Sequence, residues 1–192
     1  MNEARYFYRR LAAKDARYKT LVRQKIWKRA TAELTEWMYC ASAFVSATRS
    51  TYFYLKVATK GKPNDKAWLV IQERLPIHEI GKHLRDFMLH EATPNTGYKV
   101  DLPPPRRGES KGDWVFRGLM MEPLNPVIAI SVPETLPHLT TAALALTSQY
   151  RDDATALCTA ILVAVERLVA EADERQLLTS DPIGPAVSTR RV

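Results

Sequence analysis

Arg85 and His90 are the two residues of this chain whose types and spacing best suit chemistry. Arginine presents a rigid fork of donors that matches the oxygens of a phosphate. Histidine takes up and releases a proton near neutral pH. Five positions apart on a helix, the two lie about 140° around the axis with a rise of about 7.5 Å. Neither falls in the apolar stripe of Ile80 and Leu84, so both are expected to reach solvent or a partner. Asp86 stands four residues before His90, shares its face and is placed to orient the imidazole. Such a set could hold a phosphodiester and activate a ribose hydroxyl without a metal. The plainer reading is a surface arginine and a histidine near a helix end, because surface charge is the default.

A second constellation overlaps the first. Glu79, His83, Asp86 and His90 are spaced 4, 3 and 4 apart, which puts them on one helical stripe. Two imidazoles and two carboxylates could ligate a divalent ion if facing helices added ligands. No second motif of this kind occurs, and His138 is the only histidine outside this segment, so a solvated polar stripe is the preferred reading and no metal or other cofactor is expected. There is no CxxC and no phosphate-cradling glycine motif. Cys40 and Cys158 both sit in apolar helical patterns and read as reduced core thiols rather than a disulfide.

Charge is concentrated at one end. Residues 1–30 carry ten Lys/Arg against two acids, a net of +8, whereas the other 162 residues net −1. Arg10, Lys14 and Arg17 form a basic stripe that could guide RNA or meet an acidic partner, or simply face water. Tyr6, Phe7, Tyr8, Tyr52, Phe53 and Tyr54 interleave with basic residues and could stack on bases, although aromatics at helical spacing are more often core.

The elements that must position these residues are mostly helical. The chain has 192 residues, 46% of them apolar, enough for one domain with a sizeable core. Phe7, Leu11, Tyr18 and Val22 predict a long helix over 3–29. A second helix is expected over 32–59, possibly continuous with the first, and ended by Gly61 and Pro63. Asn64 is a plausible N-cap for a helix over 65–74, and the 77–91 segment that carries Arg85 follows Pro76. Eight of the twelve prolines fall between Pro94 and Pro137. There Tyr98, Val100 and Leu102 alternate, Trp114 and Phe116 alternate, and 126–132 is β-branched, which predicts two or three short strands. Residues 103–112 read as a loop. Residues 138–177 return to helix, with Asp152 or Asp153 as cap, and 178–192 read as a mobile tail. The expected organisation is one helical domain over 1–177 with an insertion at 92–137. No apolar run approaches the ~20 residues of a membrane span, and the N-terminus has no apolar signal core, so a cytoplasmic protein is expected.

The order of these features resembles the HEPN superfamily, the nucleotide-binding helical domains shared by higher eukaryotes and prokaryotes. The stretch Phe44-Val45-Ser46-Ala47-Thr48-Arg49-Ser50-Thr51 leads towards the end of one helix, Arg85-Asp86 and His90 near the end of a later one match the family's arginine–polar–spacer–histidine signature, Glu91 after it is typical, and a long final helix follows. The resemblance covers roughly residues 5–91 and 138–175. It implies an all-α, up-and-down helical bundle. It also implies a homodimer whose motifs meet in one cleft, with a metal-independent endoribonuclease activity of the toxin–antitoxin, defence or RNA-processing kind. In that picture Arg85 holds the scissile phosphate, His90 moves a proton at the 2′-hydroxyl or the leaving oxygen, and Asp86 assists. Members paired with nucleotidyltransferases often carry a tyrosine two residues after the histidine, where this chain has Ala92, which speaks against that pairing. Other members are non-catalytic modules that bind a partner protein or a nucleotide, and that alternative stands beside the enzyme.

Overall fold

The computed structural model describes residues 1–90, 96–121, 124–131, 138–150 and 153–178; the side chains of Leu89 and His90 lie outside the described residues, as do the segment 91–95 and the expected tail from 179 on. The architecture is mainly helical, as expected. In chain order it runs α1 (Asn2–Arg23), α2 (Trp27–Ala58), α3 (Pro63–Glu73), α4 (Pro76–His90), β1 (Thr96–Lys99), α5 (Lys111–Met120), β2 (Val127–Ile130), α6 (Thr141–Gln149) and α7 (Ala154–Glu174). Among the described residues no helix is long and apolar enough to cross a membrane.

The helix expected over 3–29 stops at Arg23. Lys25 adopts a left-handed φ of 62°, its amide bonds to Val22 O at 2.9 Å and the Ile26 amide reaches back to Leu21 O at 2.9 Å. This pair of bonds is a Schellman cap, which usually employs glycine. Here lysine occupies that position, so the sequence carries no visible stop. After the turn α2 folds back along α1. Leu11, Tyr18 and Val22 of α1 meet Trp37, Ala41, Phe44 and Val45 of α2 in a fully buried seam. The free cysteines fit the expected thiols: Cys158 is buried in α7 and Cys40 is half-buried.

α7 completes the core. Asp153 caps it by accepting from the Ala156 amide at 2.9 Å, and Leu157, Ile161, Val165 and Leu168 are all buried. Its polar positions are anchors. Thr155 accepts from Trp37 Nε1 of α2 at 3.1 Å, Thr159 shares a hydrogen bond with the Tyr8 hydroxyl of α1 at 2.8 Å, and Glu166 takes Arg5 of α1 at 2.6 Å. Its end is a second cap without glycine, with Gln176 at φ 57°.

The proline-rich segment departs from expectation in one respect. β1 and β2 do form an antiparallel pair, with Thr96 opposite Ile130 and Lys99 opposite Val127, and Ile128 and Ile130 enter the same apolar core as the helices. Trp114 and Phe116, however, lie on α5 and not on a strand. Ser110 decides this: its hydroxyl caps the Asp113 amide at 3.1 Å, a start signal that outweighs a two-residue alternation. The preceding loop is fastened to α5. Arg117 grips Glu109 with two bonds of 2.7 and 2.8 Å and holds its carboxyl down at about 2, while the Trp114 indole donates to Pro103 O at 2.6 Å. Gly118 lets the loop lie against the helix: a Cβ there would stand 2.8 Å from Leu102 Cδ2 and 3.1 Å from its Cβ. Gly118→Ala is therefore expected to lower stability by about 1–2 kcal/mol despite the helix propensity gained. Urea denaturation measures this; an unchanged or raised midpoint would mean that Leu102 moves aside freely.

Candidate functional site

Arg85 lies on α4, which is seated by Ile80 and Leu84, both buried. α4 packs on α7 at Gly81, where a Cβ would meet Ile161 Cγ2 at an ordinary contact distance of 3.6 Å. Ile77, Phe87 and Met88 cover the flanks of this seat as half-buried neighbours of the core. Arg85 and Asp86 lie off the Ile80 and Leu84 stripe and are both half-buried. Arg85 Nη1 donates to Asp86 Oδ1 at 2.9 Å, with the two side chains 33% and 41% exposed. Asp86 was expected to orient His90, whose side chain lies outside the described residues; what is seen is its carboxylate on Arg85, which reaches the adjacent position. Such an exposed ion pair is worth at most ~1 kcal/mol. His90 is the last residue of α4, and its side chain lies outside the described residues.

The metal stripe loses a member. Glu79 accepts from the Thr140 amide at 2.8 Å and from the Thr140 hydroxyl at 2.6 Å, so it ties α4 to the start of α6, whose N-cap is Thr140. Among the described residues no group of three or more His, Cys, Asp or Glu is arranged to hold a metal.

The basic stripe on α1 is largely taken up within the fold. Lys14 bridges to Glu33 at 3.1 Å and also to Glu36, and Arg17 bridges to Glu33 at 3.0 Å. Both acids belong to α2, so these charges hold the α1–α2 pair together. Arg10 behaves differently. Its Nη1 donates to the Tyr6 hydroxyl at 3.0 Å, and its guanidinium lies 5.8 Å from the centre of that ring.

Sequence reasoning passed over His78. Its ring is buried on α4, with Nδ1 hydrogen-bonded to the hydroxyl of buried Tyr52 on α2. Arg49 lies over Tyr52, 5.2 Å from the ring centre, and is paired with Glu73 at 3.1 Å, which also takes Lys56 at 2.9 Å. A void of about 10 Å³ beside this cluster, bordered by Thr48, Gly81 and Lys82, has room for about one water. The cluster fixes α2, α3 and α4 against one another. Burial pushes the imidazole down to about 4, against the pull of Glu171 and Glu73. The only prior signal was a histidine inside an apolar segment, and Tyr52 lies 26 residues away.

Comparison of the chain with protein-family models, curated proteins and solved structures finds no match.

The titration of His78 has a stability consequence. In the unfolded chain its pKa is near 6.5, whereas in the fold it resists protonation down to about 4. Between these values the unfolded state binds the proton more readily, so the stability present above pH 6.5 is lost as pH falls and levels off below about 4. The loss from this residue is about 3 kcal/mol. His78→Gln should flatten that part of a stability curve measured by denaturation between pH 7 and 4; an unaltered slope would assign the acid sensitivity to other groups.

Proposed function

We propose that this protein is a HEPN-like, metal-independent endoribonuclease of the cytoplasm, of the toxin, defence or RNA-processing kind, acting as a homodimer. The observation that carries the reading is the state of Arg85: a partly exposed guanidinium on a well-seated helix, held among the described residues by neighbouring Asp86, one and a half turns before His90. In this reading Arg85 binds the scissile phosphate and balances the charge that builds on it. His90 moves a proton at the 2′-hydroxyl or at the departing 5′-oxygen. Attack by a 2′-hydroxyl on the adjacent phosphorus expels the 5′-oxygen and leaves a 2′,3′-cyclic phosphate. Asp86 keeps Arg85 ordered while the site is empty. The long final helix α7 and the helical core around α4 support the family resemblance.

A second reading is favoured by a different observation. Phe53, Tyr54 and Val57 of α2, with Val70 and Ile71 of α3, are exposed at 40% or more. Apolar exposure of that kind suits a protein partner, such as an antitoxin, and fits a non-catalytic helical module that keeps the motif without cutting RNA.

The deciding experiment is cleavage of single-stranded RNA in the presence of a chelator. Wild type is expected to cut and to leave cyclic phosphate ends. His90→Ala and Arg85→Ala should each lower the rate at least a hundredfold with the thermal unfolding midpoint unchanged. Cleavage that persists in His90→Ala would remove this residue from the mechanism, and an inert wild type that co-purifies with a protein partner would favour the binding module.

A further inference from the structure

One groove on the α1–α2 pair is open among the described residues. It is about 260 Å³ in volume and lined by Tyr6, Phe7, Arg10, Glu36, Tyr39 and Cys40, close to the ~300 Å³ lower end of small-ligand pockets. Its composition is selective. Tyr39 on α2 leaves 70% of its surface in water and Tyr6 on α1 leaves 53%. Isolated exposed tyrosines are ordinary, but here two of them, from two helices, border one depression together with an arginine.

Much of the α1 side of the groove is held in place by contacts within the fold. Phe7 braces Tyr6 edge to face, with ring centres 5.2 Å apart. The Tyr6 hydroxyl accepts from Arg10 at 3.0 Å, which fixes the guanidinium beside the ring. Glu36, the one acid of the lining, is engaged by Lys14, and that contact holds its carboxyl below the usual range. Its charge is thereby largely compensated, and Arg10 sets the sign of the groove. Side chains already held in place lose little freedom on binding.

Flat aromatic faces beside a fixed cation match a planar π-system that carries a neighbouring negative charge. A nucleotide of a single strand has both. The bases of a duplex are stacked on one another and cannot enter. We propose that the α1–α2 groove is a stacking subsite for one unpaired base of single-stranded RNA, with Tyr39 and Tyr6 against the base and Arg10 on an adjacent phosphate. The inference rests on the RNA reading above and adds where the strand is held.

The test uses a fluorescein-labelled single-stranded RNA hexamer with 2′-O-methyl riboses, which cannot be cut through the 2′-hydroxyl, and follows its anisotropy. Wild type should bind it and should bind the same sequence in duplex form at least tenfold more weakly. Tyr39→Ala should weaken single-strand binding about tenfold, in keeping with the loss of one base stack. Tyr39→Phe, which keeps the ring, should bind like wild type. Arg10→Gln should reduce the salt dependence by about one phosphate contact. Equal binding by wild type and Tyr39→Ala, equal affinity for the duplex, or no binding of the hexamer would each overturn the proposal. The outcome is separable from that of the nuclease reading. Binding that depends on Tyr39 without any cleavage of unmodified RNA keeps the groove and removes the enzyme. Cleavage of unmodified RNA with hexamer binding indifferent to Tyr39 does the reverse.

Discussion

Leu157, Ile161, Val165 and Leu168 place one continuous apolar stripe along α7, and α1, α2, α4 and β2 all close on it. Each such side chain contributes on the order of 1.5–3 kcal/mol when taken fully out of water. α1 and α2 also share a buried seam of their own, and that pair, α4 and β2 are brought together by packing on the α7 stripe. The polar residues of α7 then choose among the ways of packing. Thr155, Thr159 and Glu166 each have a partner on α1 or α2, and Glu171 accepts from Trp68 and Gln72 of α3 at 3.3 Å. Apolar burial drives the assembly, and these directional bonds set its register, because a slipped helix would leave them unmade in partly buried surroundings.

α4 is held from three sides, and this matters for Arg85. Ile80 and Leu84 seat it in the core, the Tyr52–His78 bond locks it to α2, and Glu79 pins it to the start of α6 through Thr140. On the proposed reading, in which Arg85 meets a phosphate, its backbone must not yield. The burial of a neutral histidine is what gives the site its rigid support, and it is also the source of an acid-sensitive weak point two turns from Arg85. Support and sensitivity are the same interaction.

Electrostatics divides the positive residues of α1 into two groups. Lys14 and Arg17 are matched by Glu33 and Glu36 across the helix pair, so most of their field is spent inside the protein. Arg10 bonds to a tyrosine, acts on Glu36 only through space among the described residues, and lines the groove. The net charge of +7 therefore says less about nucleic-acid contact than the position of one arginine between two exposed tyrosines.

Much of the fold was legible in the residue pattern. The periodicity of apolar positions marked the helices, Gly61 and Pro63 marked the end of α2, Pro76 marked the start of α4, Asp152 or Asp153 marked the cap of α7, and β-branched residues marked β2; α3 starts at Pro63 after Lys62 rather than after the expected cap Asn64. Helix ends capped by Lys25 and Gln176 were not legible, because both bear left-handed backbone without the glycine that usually announces it. Trp114 and Phe116 misled because an alternation of two residues is shorter than the helix that a serine cap can start. The sequence by itself determined the helical class, the Arg85-Asp86…His90 spacing and the seat of α4, since these follow from local periodicity. Only the tertiary structure decided that Asp86 sits on Arg85, that Glu79 serves Thr140, that His78 is buried against Tyr52, and that Tyr39 lines one groove with Arg10. The last three join residues 26 or more positions apart, and Asp86 depends on how its helix is presented. Contacts of that kind exist only once the shared core has brought the helices together.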